Sequence, residues 1–328
     1  HQEDLQWYSG WNMAKKRVLA DYTISVDGRI LDRSEAECIV YPDRLVRRWD
    51  NTIETFRMLD NLPIIYIEIK TEEPTSAITL DKTLIADEYT VEGHTFHIPG
   101  EAPDMRIMVA SDGAKGFVLT YGTEDECRAL HAEFMKNGQK LIKERRDRIN
   151  SLITEYNPVK TNLPELDKAL DWITITMDEL ITCQQGNGIY AGLPWFNEYW
   201  GRDMFISMPG ACLVTGQFDI AKEILKDFVK LQDTDPESET YGRIPNRANL
   251  EGILYNTTDG TPRLVIQAYQ LAQYSGDTEF LHELYPAIKM SIDASIKNYT
   301  DEKGYLTHAD ADTWMDVKRN GIPGSPRG

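Results

Sequence analysis

Cysteine is scarce in this chain: Cys38, Cys127, Cys183 and Cys212 are scattered over 328 residues with no C-x-x-C pair. That spacing excludes a zinc-finger pattern and a dense disulfide framework, and leaves buried thiols as the expectation. Long apolar runs are missing as well. No stretch approaches the roughly 18 apolar residues of a membrane-spanning helix, and none is expected. No basic segment followed by an apolar one precedes the rest, and the first residue is His1 rather than Met. Such a start fits a trimmed chain, with a cytoplasmic location open, or a removed signal peptide, with a periplasmic or secreted one. A cationic excess is also absent. With 35 basic against 53 acidic residues the formal charge is −18, which repels nucleic acid and anionic membranes but is indifferent to a neutral polysaccharide. There is no P-loop, Rossmann glycine pattern or nucleophile elbow, so no cofactor is expected.

What is present divides by period. From His1 to Gly122 the apolar residues alternate, as in Ile65, Ile67 and Ile69 and again in Met105, Ile107 and Val109, which are followed by Ser111-Asp112-Gly113 and then Phe117, Leu119 and Tyr121. Alternation of this kind, with further turn signals at Asp27-Gly28, Glu92-Gly93 and Pro99-Gly100, predicts short strands spaced as in a β-sandwich over residues 1–122. Trp7, Tyr8 and Trp11 read as anchors of an N-terminal strand. At Thr123 the period changes. Thr123-Glu124-Asp125-Glu126 is a capping box, and Cys127, Leu130 and Phe134 follow at helical spacing. The mixed charges of Lys143 to Arg148 predict a solvated helix face, and Asn157-Pro158 a break. Residues 123–161 are therefore expected to form a linker helix.

Residues 162–328 show helical seams. Leu163, Leu166, Leu170, Ile173, Met177 and Leu180 form one, Ile220, Ile224, Leu225 and Phe228 a second, and Leu264, Ala268, Leu271 and Ala272 a third that stops at Gly276. Asp277 is expected to cap the next element, and Pro286 to open a further helix with Ile288, Ile292 and Ile296 on its apolar face. No strand pattern intervenes, so this part is expected to be all-helical; periodicity alone permits a bundle, a solenoid or a toroid.

The stretch Tyr190 to Gly210 fits no simple core pattern. Trp195, Phe196, Tyr199, Trp200 and Phe205 crowd around Glu198, Arg202 and Asp203, and charges among rings are costly unless hydrogen-bonded or facing a wet cleft. A sugar site needs these groups: flat rings for the C–H faces of a pyranose, an Arg and a carboxylate for its hydroxyls. A buried Arg–Asp pair under an aromatic cluster is the other reading. Asp203 beside Arg202 is expected to have a lowered pKa, making it a poor proton donor and a good hydroxyl acceptor. Asp316 lies beside Trp314, which could exclude water and raise its pKa; as a plain structural residue it would be a helix N-cap. Asn246 and Arg247 sit in a Pro-preceded turn, and Asp259 precedes Gly260, where turn chemistry is the alternative. Asp310-Ala311-Asp312 with Asp316 lacks the Gly and the Glu of an EF-hand, so no metal is expected. His282 and His308 are isolated.

Four strings occur in order: PWFNEYWGRDMFISMPG from Pro194, GRIPNR from Gly242, YNTTDGTP from Tyr255 and TWMD from Thr313. Together they resemble the glucosidase domain of glycogen debranching enzymes, the amylo-α-1,6-glucosidases, and Trp-x-Arg-Asp is similar in outline to glucoamylases. The resemblance runs from about Asn162 onward. It implies an (α/α)6 toroid, about half of it in this chain and completed by a companion C-terminal segment. It further implies inverting, exo-acting hydrolysis of α-1,6-linked glucosyl branches of a glycogen-like α-glucan, with Asp316 as general acid. Trp200, Arg202 and Asp203 would hold the terminal glucose, with Trp195, Asn246, Arg247, Asp259 and Trp314 as further binding positions. The family's general base is a Glu nearer the C-terminus, and no acid follows Asp316, so the base is expected outside this chain. Where an aromatic usually follows Asp259, Pro262-Arg263 stand, which leaves the linkage open. A glucoamylase-like or other α/α-toroid hydrolase, and a non-catalytic glucan-binding module, are the alternatives.

Overall fold

The computed structural model describes residues 10–13, 16–72, 77–83, 91–92, 95–97, 105–156, 159–183, 186–249, 252–309, 311–316 and 318–323. The readings made at Trp7, Tyr8, Gly93, Pro99-Gly100, Asn157-Pro158 and Asp310 lie outside the described residues. The chain forms two compact units, residues 1–155 and 156–328.

The first unit is rich in strands. In chain order they are β1 (Trp11–Met13), β2 (Lys16–Leu19), β3 (Asp21–Val26), β4 (Arg29–Ile30), β5 (Glu37–Tyr41), β6 (Arg44–Trp49), β7 (Thr52–Met58), β8 (Ile64–Thr71), β9 (Ile78–Thr83), β10 (Val91–Glu92), β11 (Thr95–His97), β12 (Arg106–Ser111) and β13 (Phe117–Gly122). Eight of them make one antiparallel sheet in the order β10-β11-β12-β13-β8-β7-β6-β5, while β4-β3-β9 and β1-β2 form two smaller sheets. Asp27 and Gly28 both take positive φ, 51° and 81°, and close the β3–β4 hairpin as their sequence predicts. Alternation on β8 and β13 separates two cores. Ile65, Ile67, Ile69, Leu119 and Tyr121 join Trp11, Val18, Tyr22 and Ile24 of the smaller sheets. Ile64, Tyr66 and Val118 instead meet Phe134 and Ile142 of helix α1 (Glu124–Ser151).

That helix opens on the expected capping box, with Thr123 N–H donating to Glu126 at 2.8 Å and Glu126 N–H to Thr123 at 3.4 Å. Lys143 to Arg148 form the expected solvated face, exposed except for the half-buried Arg145, and its arginines also reach back to the sheet. Arg145 and Arg148 both grip Asp60, and Arg146 donates to the buried Asp43. α1 is thereby fastened to the loops of the sheet it covers and belongs to the first unit's body, where a connecting helix was expected.

The second unit holds α2 (Pro164–Leu180), β14 (Ile181–Thr182), β15 (Gly188–Gly192), β16 (Phe196–Trp200), α3 (Gly201–Met208), α4 (Phe218–Val229), β17 (Arg247–Asn249), β18 (Gly252–Leu254), α5 (Gly260–Ser275), α6 (Glu279–Asn298), β19 (Lys318–Arg319) and β20 (Ile322–Pro323). The expectation of an all-helical unit is corrected here: β14 to β18 pair in sequence order as one antiparallel sheet. Its strands are two to five residues long, too short to print a period of two. Ile189, Tyr190, Tyr199 and Ala248 of that sheet share a core with Phe205, Ile224, Phe228, Leu264, Leu271, Phe280 and Leu284 of the helices.

The seams on α4 and α5 are buried as expected, and Gly276, at φ 74°, ends α5 with its N–H on the Ala272 carbonyl. Two other seams shift. On α2 only Ile175 is fully buried, with Met177 and Leu180 packed against the core, whereas Leu166 and Ile173 are exposed. On α6, Pro286 lies inside the helix rather than at its start, and the buried face is Phe280, Leu284, Ser291 and Ala294, leaving Ile292 and Ile296 exposed. Asp277 caps the Phe280 N–H at 3.2 Å. Burial of Phe280 and Leu284 N-terminal to the proline draws the helix back past it.

Candidate active site

The four sequence strings are stitched together by backbone pairing. β16 lies beside β17 with Trp200 opposite Arg247, so the first string and GRIPNR are neighbouring strands. Gly201 N–H donates to the Asn246 carbonyl at 2.6 Å, and a Cβ at Gly201 would sit 2.5 Å from the Pro245 carbonyl oxygen, so only glycine fits this crossing. Ile244 N–H donates to Thr261 Oγ1 at 2.8 Å, joining GRIPNR to the start of α5. Thr258 N–H donates to the Asp312 carbonyl at 2.9 Å, joining that loop to the TWMD segment.

Where these ties converge stands Arg202, whose side chain is 8% exposed. Its Nη1 donates to the Thr313 carbonyl at 2.8 Å and its Nη2 to Asp316 Oδ2 at 2.8 Å. Asp259 Oδ1 lies 3.8 Å from Nη1, and Asp203 Oδ2 lies 3.9 Å from Nε. One guanidinium thus gathers three carboxylates from positions far apart in sequence. Asp203 falls in the first turn of α3, where the helix dipole favours an acid. Asp259 is the N-cap residue of α5, yet its carboxylate does not cap the helix.

The lowering expected at Asp203 does not occur. Burial pushes its carboxyl above the ordinary range; Arg202 opposes this, and the negative charges of Asp316 and Asp259 add to the rise. Successive residues of a helix point in different directions, and the guanidinium makes its close contact with Asp316 instead.

Trp200, just before α3, donates from its indole N–H to Glu198 Oε1 at 3.2 Å, and the Arg247 guanidinium stands 5.9 Å from its ring centre. Arg247 therefore faces the Trp200 ring. Glu198 is 5% exposed; it escaped selection from the sequence, although two residues apart on a strand means one shared face with Trp200. Asn246 is fully buried, with its amide on Asn256 Oδ1 at 3.5 Å. Trp195 and Trp314 are exposed rings, one in the β15–β16 turn and the other two residues before Asp316. Asp312, weighed as part of an acidic loop, accepts from Ala309 N–H at 2.7 Å and meets His308 Nδ1 at 3.1 Å.

Residues 166–328, which contain every one of these groups, match the family described as amylo-alpha-1,6-glucosidase. Over that span the chain belongs to the amylo-alpha-1,6-glucosidase family. It is a family of glycoside hydrolases. No curated protein matches the chain. Family membership accounts for the order of the strings, and the geometry adds which of their side chains meet: Arg202, Asp203, Asp259 and Asp316 in one cluster, with Trp200 and Arg247 beside it.

Proposed function

We propose that this chain binds the non-reducing end of an α-glucan and supplies the proton donor for its hydrolysis, as a glycosidase of glycogen-debranching type within a toroid of paired helices. The observation that carries this reading is the ratio of one buried guanidinium to three carboxylates. Hydrogen-bond acceptors exceed donors there, and an anionic ligand would meet net negative charge. A neutral polyol brings hydroxyl donors and adds no charge. Trp200 offers the flat face a pyranose ring packs on.

Arg202 fixes Oδ2 of Asp316, so Oδ1 is the atom assigned to protonate the glycosidic oxygen. Asp203 and Asp259 accept hydroxyls of the terminal glucose. A water that gives its proton to a second carboxylate acting as base attacks from the opposite face, inverts the anomeric carbon and releases β-glucose. A second reading exchanges the two acids, favoured by the upward push on Asp203 and by the grip of Arg202 on Asp316.

Asp316→Asn and Asp203→Asn, assayed in the intact protein on isomaltose, panose and α-glucosyl fluoride, test both. The general-acid variant loses about 10²- to 10⁴-fold on the sugar leaving groups and keeps most of its turnover of the fluoride, which departs with little need of a proton. The binding variant loses affinity for all three substrates. Full activity of Asp316→Asn on panose would end the first assignment.

A further inference from the structure

A flat ring helps to bind a sugar only if it is held at one angle, and the indole of Trp200 swings about two side-chain torsions, the outer of them broad and weakly restrained. Its backbone is already fixed. Tyr199, the residue before it on β16, is 2% exposed, lies in the core and donates its hydroxyl to the Gly186 carbonyl at 2.8 Å. Alternation along the strand puts Glu198 and Trp200 together on the other face. There the indole N–H donates to Glu198 Oε1 at 3.2 Å, while Arg247, opposite Trp200 on β17, sets its guanidinium 5.9 Å from the ring centre. The ring is held at its edge and flanked by a cation. Trp200 is half-buried and keeps part of its surface open, whereas Glu198 is 5% exposed, too enclosed to be the direct partner of a sugar. What Glu198 can affect, it affects through the indole.

We propose that Glu198 is a positioning residue: by accepting the Trp200 indole N–H it sets the angle of the ring that packs on the terminal sugar, and touches no sugar itself. The proposal rests on the glycosidase reading. With its N–H engaged by Glu198, the indole has no donor left for a sugar hydroxyl, so Trp200 contributes its face alone. Glu198 then matters to sugar affinity only while residue 200 carries an N–H for it to hold.

Glu198→Met, Glu198→Gln, Trp200→Phe and the double variant Glu198→Met with Trp200→Phe test this in the intact protein, by calorimetric titration with glucose and by ultraviolet resonance Raman spectra of the indole N–H. Glu198→Met is expected to bind glucose about 10-fold less tightly, the scale of one hydrogen bond. Its difference spectrum shows one indole losing its hydrogen bond, the same one that is missing from Trp200→Phe. Glu198→Gln keeps an acceptor at the same reach and restores most of the affinity. In the Trp200→Phe background Glu198→Met costs nothing further, whereas a merely structural role costs about 10-fold again. Should Glu198→Met fail to fold, Glu198→Asp, whose shorter side chain withdraws the acceptor, takes its place with the same expected loss. Wild-type affinity in the single variant, an additive loss in the double variant, or a Trp200 band that glucose itself shifts overturns the proposal. Failure of the glycosidase reading looks different: the wild type binds no glucose although the Trp200 band still responds to Glu198→Met, and the proposal falls with that reading.

Discussion

Replacing Arg202 with Met removes the cation and keeps the bulk of the side chain. The loss can be worked from its contacts. Arg202 gives up two hydrogen bonds of 2.8 Å, to the Thr313 carbonyl and to Asp316. At about 1.5 kcal/mol each, the lower end for charged hydrogen bonds, they set a cost of about 3 kcal/mol. Repulsion among the three carboxylates adds less than about 1 kcal/mol, because Asp203, Asp316 and Asp259 keep 45%, 33% and 21% of their side-chain surface in water. A unit of this size shifts by about 2–4 °C per kcal/mol, so Tm falls by about 6–12 °C. The pH dependence separates this account from simple loss of packing. Without the cation the carboxylates repel one another when ionised, and protonation relieves the repulsion. The gap between variant and wild type is then widest at pH 7 and narrows toward pH 4, followed by urea unfolding at low salt. An equal gap at both values, or a Tm change under about 2 °C, refutes the reasoning.

Asp203→Asn is expected to stabilise the protein at neutral pH while impairing sugar binding. An acid pushed up by burial favours the native state while protonated and penalises it as pH rises through its folded value; the gain is therefore present in urea unfolding at pH 7 and absent at pH 4, and a gain at pH 4 counts against the assignment. Gly201→Ala is expected to cost about 1–3 kcal/mol, since its Cβ would meet the Pro245 carbonyl oxygen at 2.5 Å, and to reduce activity with it. An unchanged Tm would mean that the β16–β17 crossing yields more readily than the contact implies.

Much of this was legible in the residues. The capping box at Thr123, the seam of α4 and the glycine stop of α5 are local signals, each complete within a few positions, and each stands in the structure. What failed depended on partners far away. Lys143 to Arg148 are solvated as read, but the pairing of their arginines with Asp60 and Asp43 was missed because those acids are some ninety residues earlier in the chain. Pro286 read as a helix start because nothing local says that Phe280 and Leu284, ahead of it, are needed in the core. The strands around Trp200 are held by pairing across a long loop and carry too few residues for alternation to show. Within the site, the neighbouring letters Arg202 and Asp203 suggested a pair, while the guanidinium's close partner is Asp316. Ordered strings could locate the residues of the cluster; only the fold says which of them touch.

The contact between Arg202 and Asp316 spans 114 positions of chain, and that separation bears on the order in which the molecule assembles. Closing so long a loop is among the costlier entropic steps in folding, and its two hydrogen bonds are expected to form only once α3, α5 and the β16–β17 pairing are in place. A chain still emerging from the ribosome holds Arg202 and Asp203 well before Asp316 exists to meet them. On the proposed function, sugar affinity is therefore expected to arrive late. Refolding followed by a fluorescent glucoside should report its appearance after the bulk of helical signal has returned, which makes ligand capture a gauge of finished molecules in any preparation of this protein.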